Sequence, residues 1–404
     1  MSESVYSVVK KQIIKAKNMT HARMLSEGYN DFPGQILNEN ILAQDANMVN
    51  WEKYEDDYEV DNVINFNETV QTSDPVVFLR SENRRLAKLA EKHKNVKDEA
   101  VTSVYQAAYD AFSNFEIGPI KKPSFKNSPI VAETAVAVFA DWQLGKVTPD
   151  YNSQVLAERI ELYTQKILEI TEIQRKHHPV KNLHVWLLGD IVEGEEIFPG
   201  QSHLIDSGLY RQVGVNGPEI LSRFLFSALE NFEHVHVTGV IGNHGAVGGR
   251  ARKQHDPETN MDRLLYKIVE LIFKNEKRIS FNIPDGKGER HWYAVDKIGD
   301  YSSLLIHGDQ MPSPNSITSY YRKVMGWKDG AIPEEFQDVF MGHYHQQAKM
   351  TIGSSTLRIS GSPESFNTYA QEYFSSMSRP CQHLMFVHPV NGITCEYSIW
   401  LDNA

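Results

Sequence analysis

The alternation that begins at Thr134 constrains the fold of this 404-residue chain more than any other feature. Thr134-Ala-Val-Ala-Val-Phe-Ala is apolar at almost every position, which marks a strand buried on both faces. Leu183-His-Val-Trp-Leu-Leu and Val235-His-Val-Thr-Gly-Val-Ile repeat that texture. Between and after these runs, apolar residues recur at helical spacing. They predict helices over 156–177, 218–232 and 261–273, the second with Pro218 at a tolerated early position. The resulting β-α-β-α-β-α order predicts an α/β layered domain. Shorter strands follow at 302–306, 338–341, 349–352, 356–360, 383–388 and 393–400, and they require a mixed or second sheet. With 41% hydrophobic and 10% aromatic residues, the chain can fill such a core, which excludes a wholly disordered protein.

Residues 1–128 have a different texture. They are read as a helical N-terminal extension with an acidic linker and an amphipathic helix, and 129–404 as the main domain. Ser7 to Ala16 suits a short helix, and Thr20 offers a cap for a second. The pair fits either a DNA-reading helix-turn-helix or a plain helical pair. Asn50-Trp-Glu-Lys-Tyr-Glu-Asp-Asp-Tyr-Glu reads as an exposed arm. Leu79, Leu86 and Leu89 share one helical face, which suits self-association into a homo-oligomer or packing on the main domain. Two prolines among the polar residues of 121–129 mark the boundary.

Lys and Arg total 41 against 52 Asp and Glu, so the formal charge is 41 − 52 = −11. That excludes a protein coating nucleic acid by general positive charge, and leaves room for a local basic patch. Two cysteines support neither a disulfide framework nor a four-cysteine zinc site. No run is apolar enough for a membrane helix, so a cytoplasmic protein is expected.

The predicted strands end in residues suited to holding cations, and in α/β folds ligands sit beyond the carboxyl ends of strands. The ends are Asp141-Trp-Gln143-Leu-Gly145, Gly189-Asp190-Ile-Val-Glu193, Gly242-Asn243-His244-Gly245, His307-Gly-Asp309 and Gly342-His343-Tyr-His345. Singly, Gly-Asp and Gly-Asn are ordinary turn formers and a lone His is an ordinary surface residue. Five such ends in order on one chain are not explained by coincidence.

The series resembles the calcineurin-like metallophosphoesterase superfamily, whose motifs run D-x-H, G-D-x-x-D, G-N-H-D/E, H and G-H-x-H. Here they read DWQ, GDIVE, GNHG, H and GHYH, over about 134–362. The leading Asp-Trp-Gln-Leu-Gly looks most like the start of the Mre11/SbcD-type DNA nuclease branch. The resemblance implies a layered β-sandwich flanked by helices and a site for two divalent ions. Manganese is the first choice of metal, with Mg, Fe or Zn as alternatives. By the same resemblance Asp190 bridges both ions. Asp141, Gln143 and His345 complete the first metal, and Asn243, His307 and His343 the second. His244 serves as the catalytic acid at the leaving group. The implied activity is a phosphodiesterase, a DNA nuclease in which a metal-activated hydroxide attacks phosphorus. A phosphomonoesterase acting on phosphoprotein or nucleotide remains the alternative, because loops around the metal core select the substrate. A non-catalytic binding protein with a degenerate site is the third reading.

Two departures from the motifs support that third reading. Gln143 stands where the family has His, and as a neutral oxygen donor it should weaken the first metal and favour Mg²⁺ or Mn²⁺ over Zn²⁺. Gly245 stands where an acid usually follows the catalytic His, so Asp206 or Asp256 is a candidate to orient His244. Softer substrate-binding candidates are His203, in a loop able to fold over the site, and the basic cluster Arg250-Ala-Arg252-Lys253, suited to a phosphate backbone. Trp142 is either a base-stacking residue or part of the core.

Overall fold

The structure is a computed structural model that describes residues 99–112, 115–126, 128–198, 200–247, 257–284, 291–311, 317–364 and 379–402. By its contacts the chain divides into Met1–Arg84 and Arg85–Ala404. The first unit lies outside the described residues, and with it the helix-turn-helix reading and the leucine face of Leu79. Arg250, Arg252 and Asp256 lie outside them too.

Within the second unit the apolar runs form the centre of a six-stranded sheet. Its strands are β1 (Glu133–Phe139), β2 (Val180–Leu187), β3 (His234–Gly239), β4 (Ile279–Asn282), β10 (Cys381–His388) and β11 (Gly392–Trp400), in the order β11-β10-β1-β2-β3-β4. β1 to β4 are mutually parallel, and β10 and β11 close one side antiparallel. All seven residues of β1 are buried, as a strand covered on both faces requires.

The helices between these strands cover the outer face. They are α2 (Ser153–Gln174), α3 (Gly217–Asn231) and α4 (Met261–Ile272), while residues 99–112 form a preceding helix, α1. Asn152 caps α2 by accepting from the Gln154 and Val155 amides, and Pro218 occupies the first turn of α3. Tyr163, Leu225 and Leu265 from these helices pack with Ala137, Phe139 and Val185, and Val101 of α1 joins the same cluster.

The second sheet holds β5 (Tyr293–Ile298), β6 (Tyr301–Ile306), β7 (Asp338–Met341), β8 (Ala348–Ile352) and β9 (Ser355–Ile359), in the order β5-β6-β7-β9-β8. It stacks on the first through Val136, Val138, Leu188, Leu305 and Met385, with Trp186 edge-on to Phe340 at 4.7 Å. α5 (Ile317–Gly326) covers its far side through Tyr320 and Val324. The result is a layered α/β fold, a sandwich of two sheets flanked by helices, as expected from the sequence.

Four elements escaped the sequence reading: α1, β4, β5 and α5. β4 is only four residues long. β5 contains Asp296, a charge in a position that the alternation rule would leave apolar. That carboxylate is 3% exposed, and it is satisfied by Trp186 Nε1 (2.7 Å), Thr238 Oγ1 (3.2 Å) and His184 Nδ1 (2.6 Å). No helix among the described residues is long and apolar enough to cross a membrane.

Candidate metal centre

Six parallel strands, β1, β2 and β3 of one sheet and β6, β7 and β9 of the other, end on the same side of the sandwich. The chain leaving five of them carries Asp141, Asp190, Asn243, His307 and His343. Backbone bonds lock the neighbouring ends together. The Asp141 amide donates to Gly189 O (3.1 Å), the Gln143 amide to Asp190 O (3.0 Å), and the Gly342 amide to His307 O (2.8 Å).

Room for the carboxylates is made by glycine. A Cβ on Gly342 would sit 2.5 Å from Asp141 Oδ2, and one on Gly242 would run into Asp190 Oδ1. The backbone is also bent there. Among the described residues the non-glycine positions with positive φ are Asp141 (53°), Gln143 (48°), Asp190 (50°), His343 (73°) and His345 (55°). Each costs an L-residue free energy, and such conformations persist where surrounding structure imposes them.

His307 sits at the middle, with no exposed surface. Its Nδ1 donates to Leu188 O (2.8 Å), which fixes the ring and leaves Nε2 facing inward. That nitrogen lies 3.0 Å from Asp190 Oδ2, 3.1 Å from Asn243 Oδ1 and 3.2 Å from His343 Nδ1. Asp190, His307 and His343 present ligand atoms within 4.8 Å of one another.

On the other side of Asp190, Gln143 Nε2 is 3.3 Å from Asp190 Oδ2 and 3.5 Å from His345 Nε2, and His345 Nε2 is 3.7 Å from Asp141 Oδ1. The seven residues named from the sequence therefore face one another, His343 and His345 half-buried and the other five buried.

The electrostatics match a cluster of facing donors. Burial opposes the ionised form of Asp190, yet His307 and His244 hold it well below the usual carboxylate range. Burial lowers the His307 pKa, but the Asp190 carboxylate outweighs it and pushes it up to about 10. Burial and the facing His307 charge push His343 down to about 3, which leaves its ring neutral with one nitrogen lone pair to offer. Burial raises Asp141 to about 6.

These residues fit a divalent cation. Neutral imidazoles, carboxylates and amide oxygens are its usual ligands, and Gln143 Oε1 is buried with no hydrogen-bond partner. A half-turn of that amide would exchange oxygen and nitrogen in place, aiming the oxygen between Asp190 and His345.

His244 lies at the rim. Its amide donates to Asp190 Oδ1 (2.7 Å), and its Nδ1 contacts Glu193 O (2.9 Å) and Glu193 Oε2 (3.3 Å). Burial opposes its protonation, but Asp190 and Glu193 outweigh burial and push its pKa up to about 9.

Glu193 thus holds the ring of His244, where sequence reasoning offered Asp206 or Asp256, the latter outside the described residues. Asp206 instead accepts from the Ser153 amide (2.7 Å) and Ser153 Oγ (2.6 Å). Gly245 cannot carry the expected acid, since a Cβ would lie 2.6 Å from Asn260 Oδ1. Trp142 is fully buried, edge-on to Phe139 at 5.3 Å, and is core rather than a surface for stacking bases. His203 is exposed in a short 3₁₀ turn, Gln201–His203, and no contact ties it to the cluster.

Three supporting residues were missed. Asp262, fully buried at the start of α4, accepts the amides of Asp190 (2.9 Å), Ile191 (3.0 Å), Val192 (3.1 Å) and Gly242 (2.9 Å), and so ties two strand ends together. Glu364 binds His345 Nδ1 (2.8 Å) and Lys146 Nζ (2.7 Å). Gln201 Nε2 holds Glu193 through its O and Oε1, both at 2.8 Å. An Asn-x-Asp helix start was the signal available for Asp262.

No family model matches this chain, and no curated protein does. Solved structures do. An archaeal phosphodiesterase is 11% identical with a TM-score of 0.30, over 66% of this chain and 99% of its own. A hypothetical protein from Pyrococcus horikoshii is 14% identical with a TM-score of 0.36, over 67% and 89%. Vps29 from Entamoeba histolytica in complex with zinc is 11% identical with a TM-score of 0.25, over 66% and 99%. Likeness this loose carries no functional weight, which falls on the side chains themselves.

Proposed function

We propose that this chain is a metal-dependent phosphoesterase of the calcineurin-like superfamily, acting on phosphodiesters with DNA as the substrate. One observation carries the reading. The five non-glycine residues held at positive φ among the described residues are five of the seven proposed ligands, and their side chains meet around Asp190. A fold sustains that much unfavourable backbone where function needs it.

Asp190 would be shared by two cations. Asn243, His307 and His343 would hold one of them, and Asp141, Gln143 and His345 the other. Divalent cations there would polarise the phosphoryl oxygens and acidify water for attack on phosphorus. Manganese is the first metal to test, since the set mixes neutral oxygen and imidazole donors.

The rest of the chemistry belongs to the protein. Glu193 engages His244 Nδ1 and fixes the ring, so Nε2 is the nitrogen left to serve substrate. His244 gives its proton to the departing oxygen, and the adjacent carboxylates favour its recharging. Asp262 and Glu364 hold the ligand-bearing segments in place. Against the degenerate-site reading stands Glu193, a carboxylate at His244 Nδ1 where Gly245 offers none.

The test is a panel of single- and double-stranded DNA, a bis-aryl phosphate and a phosphopeptide, offered with Mn²⁺ to wild type and His244→Ala. Cleavage of the diesters is expected. The variant should be slower by about two orders of magnitude, with its metal content unchanged. Cleavage of the monoester alone would refute the diester reading, and silence with every metal would refute a hydrolase. Loss of metal from His244→Ala would show that its role is ligation.

A further inference from the structure

A cavity of about 270 Å³ opens beside His244, and none of the seven proposed metal ligands lines it. Its walls are Val101 and Val104 of α1, Leu209 and Val213 ahead of α3, and Met261 and Leu264 of α4. Glu195 and Glu196 complete it on the segment that follows Asp190 and Glu193. Tyr210, 74% exposed, stands at its edge.

We propose that this cavity is the leaving-group subsite, and that it seats one flat, uncharged ring, the nucleobase of the nucleoside that departs when the diester is cut. The proposal rests on the phosphodiesterase reading and specifies what that enzyme holds on its leaving side.

Position comes first. His244 both contacts Asp190 through its amide and lines the cavity. A proton donor serves the leaving oxygen only within hydrogen-bond reach, so whatever that oxygen carries must lie on the His244 side.

Size and chemistry follow. The volume lies at the low end of small-molecule sites, enough for one ring system and too little for a long chain. The lining is mostly aliphatic, which disfavours a bare phosphate or a free sugar and rewards an apolar face. An exposed tyrosine at the mouth is the usual partner for a base, because aromatic stacking is indifferent to sequence. Glu195 Oε1 already accepts from the Leu209 amide, and the two carboxylates in the lining disfavour an anionic ring.

The cavity also gives α1 a role. α1 is anchored by Val101 in the core, with Lys274 Nζ donating to Phe112 O, and so it forms a fixed wall of the subsite.

Two measurements test the proposal, one independent of turnover. Saturation-transfer NMR with free deoxycytidine should show ring protons in contact with wild-type protein. Val104→Trp fills the cavity from a helix position that is 39% exposed, and it should abolish that signal. Tyr210→Ala, on the surface, should weaken it roughly tenfold, the worth of one stacking contact.

In kinetics, d(CpC) is compared with the methyl ester of deoxycytidine 5′-phosphate, scored for released methanol. Wild type should favour the dinucleotide, and Val104→Trp should lower kcat/KM for it by about tenfold more than for methanol release. Absence of nucleoside binding to wild type overturns the proposal, and so does an equal loss on both substrates. If deoxycytidine binds and is displaced by Val104→Trp while no diester is cut, the subsite stands as a nucleoside site and the hydrolase reading falls alone.

Discussion

Asp262 offers the sharpest test of how the site is built. Its two oxygens take four backbone amides, those of Asp190 and Gly242 on Oδ2 and those of Ile191 and Val192 on Oδ1. Asp262→Ala would strand all four in a place with no exposure. At about 1–3 kcal/mol for each buried unsatisfied donor, the loss is roughly 4–12 kcal/mol, comparable with the whole stability of a domain, so that variant should not fold.

Asp262→Asn is the informative change. Its one carbonyl oxygen keeps two of the four amides and its NH₂ confronts the other two, a loss of about 2–6 kcal/mol. Burial and the Asp190 charge already push the Asp262 pKa up to about 6, so a neutral amide relieves part of that cost. The lower half of the range, about 2–4 kcal/mol, is therefore expected. With m near 3 kcal/mol/M, the urea midpoint should fall by roughly 1 M with m unchanged. Titration calorimetry with Mn²⁺ should show weaker binding in the same variant, because the segments carrying Asp190 and Asn243 are no longer joined. A midpoint shift below about 0.3 M would refute the clamp, since two lost amide bonds cannot cost so little.

Three further outcomes are expected. Glu364→Gln removes the charge that holds His345 Nδ1 and Lys146, and should weaken cation binding about 10- to 100-fold in calorimetry while the near-ultraviolet spectrum stays that of the wild type. Gln143→His, at a φ of 48° that His tolerates better than most residues, should tighten the weaker of the two proposed cation-binding steps, and an unchanged isotherm would remove Gln143 from the proposed ligand set. Burial would raise the Asp296 pKa, but hydrogen bonds from His184 and His236 hold it below the unfolded carboxylate value of about 3.9, so its stabilisation is complete above that value and is lost as pH falls through the folded one. Urea melts of wild type and Asp296→Asn should accordingly differ by a constant amount near pH 5 and draw progressively together as the pH falls below about 3.9; a gap that widens with acid would refute the sign.

The parts of this fold that were legible are those where a residue's own chemistry reports its surroundings. A strand such as Thr134–Ala140, buried on both faces, must be apolar throughout, so β1, β2 and β3 announced themselves. Polar residues at their ends stood out because nothing in a core explains them. What stayed hidden acts through the backbone or across long separations. Asp262 reads as an ordinary first-turn acid, although its partners are amides more than 70 positions away in the case of Asp190. Glu364 reads as a loop residue, and only folding brings it to His345 and Lys146. Conformation was the least visible property of all. Asp141, Gln143, Asp190, His343 and His345 look like any short turn, and their positive φ appears only in three dimensions.

At about 1 kcal/mol or more apiece, five left-handed residues cost on the order of 5 kcal/mol, a large share of what a domain has to spare. They are held by specific opposing bonds. Ser362 Oγ donates to Asp141 O at 2.6 Å, the His343 amide donates to both Asp141 oxygens at 3.0 and 2.9 Å, and Asp262 secures Asp190. Substituting these supports should therefore strand their buried partners and scatter the converged side chains in the same step. A variant that loses stability and cation binding together is the expected sign that these bonds hold the strained backbone for the site.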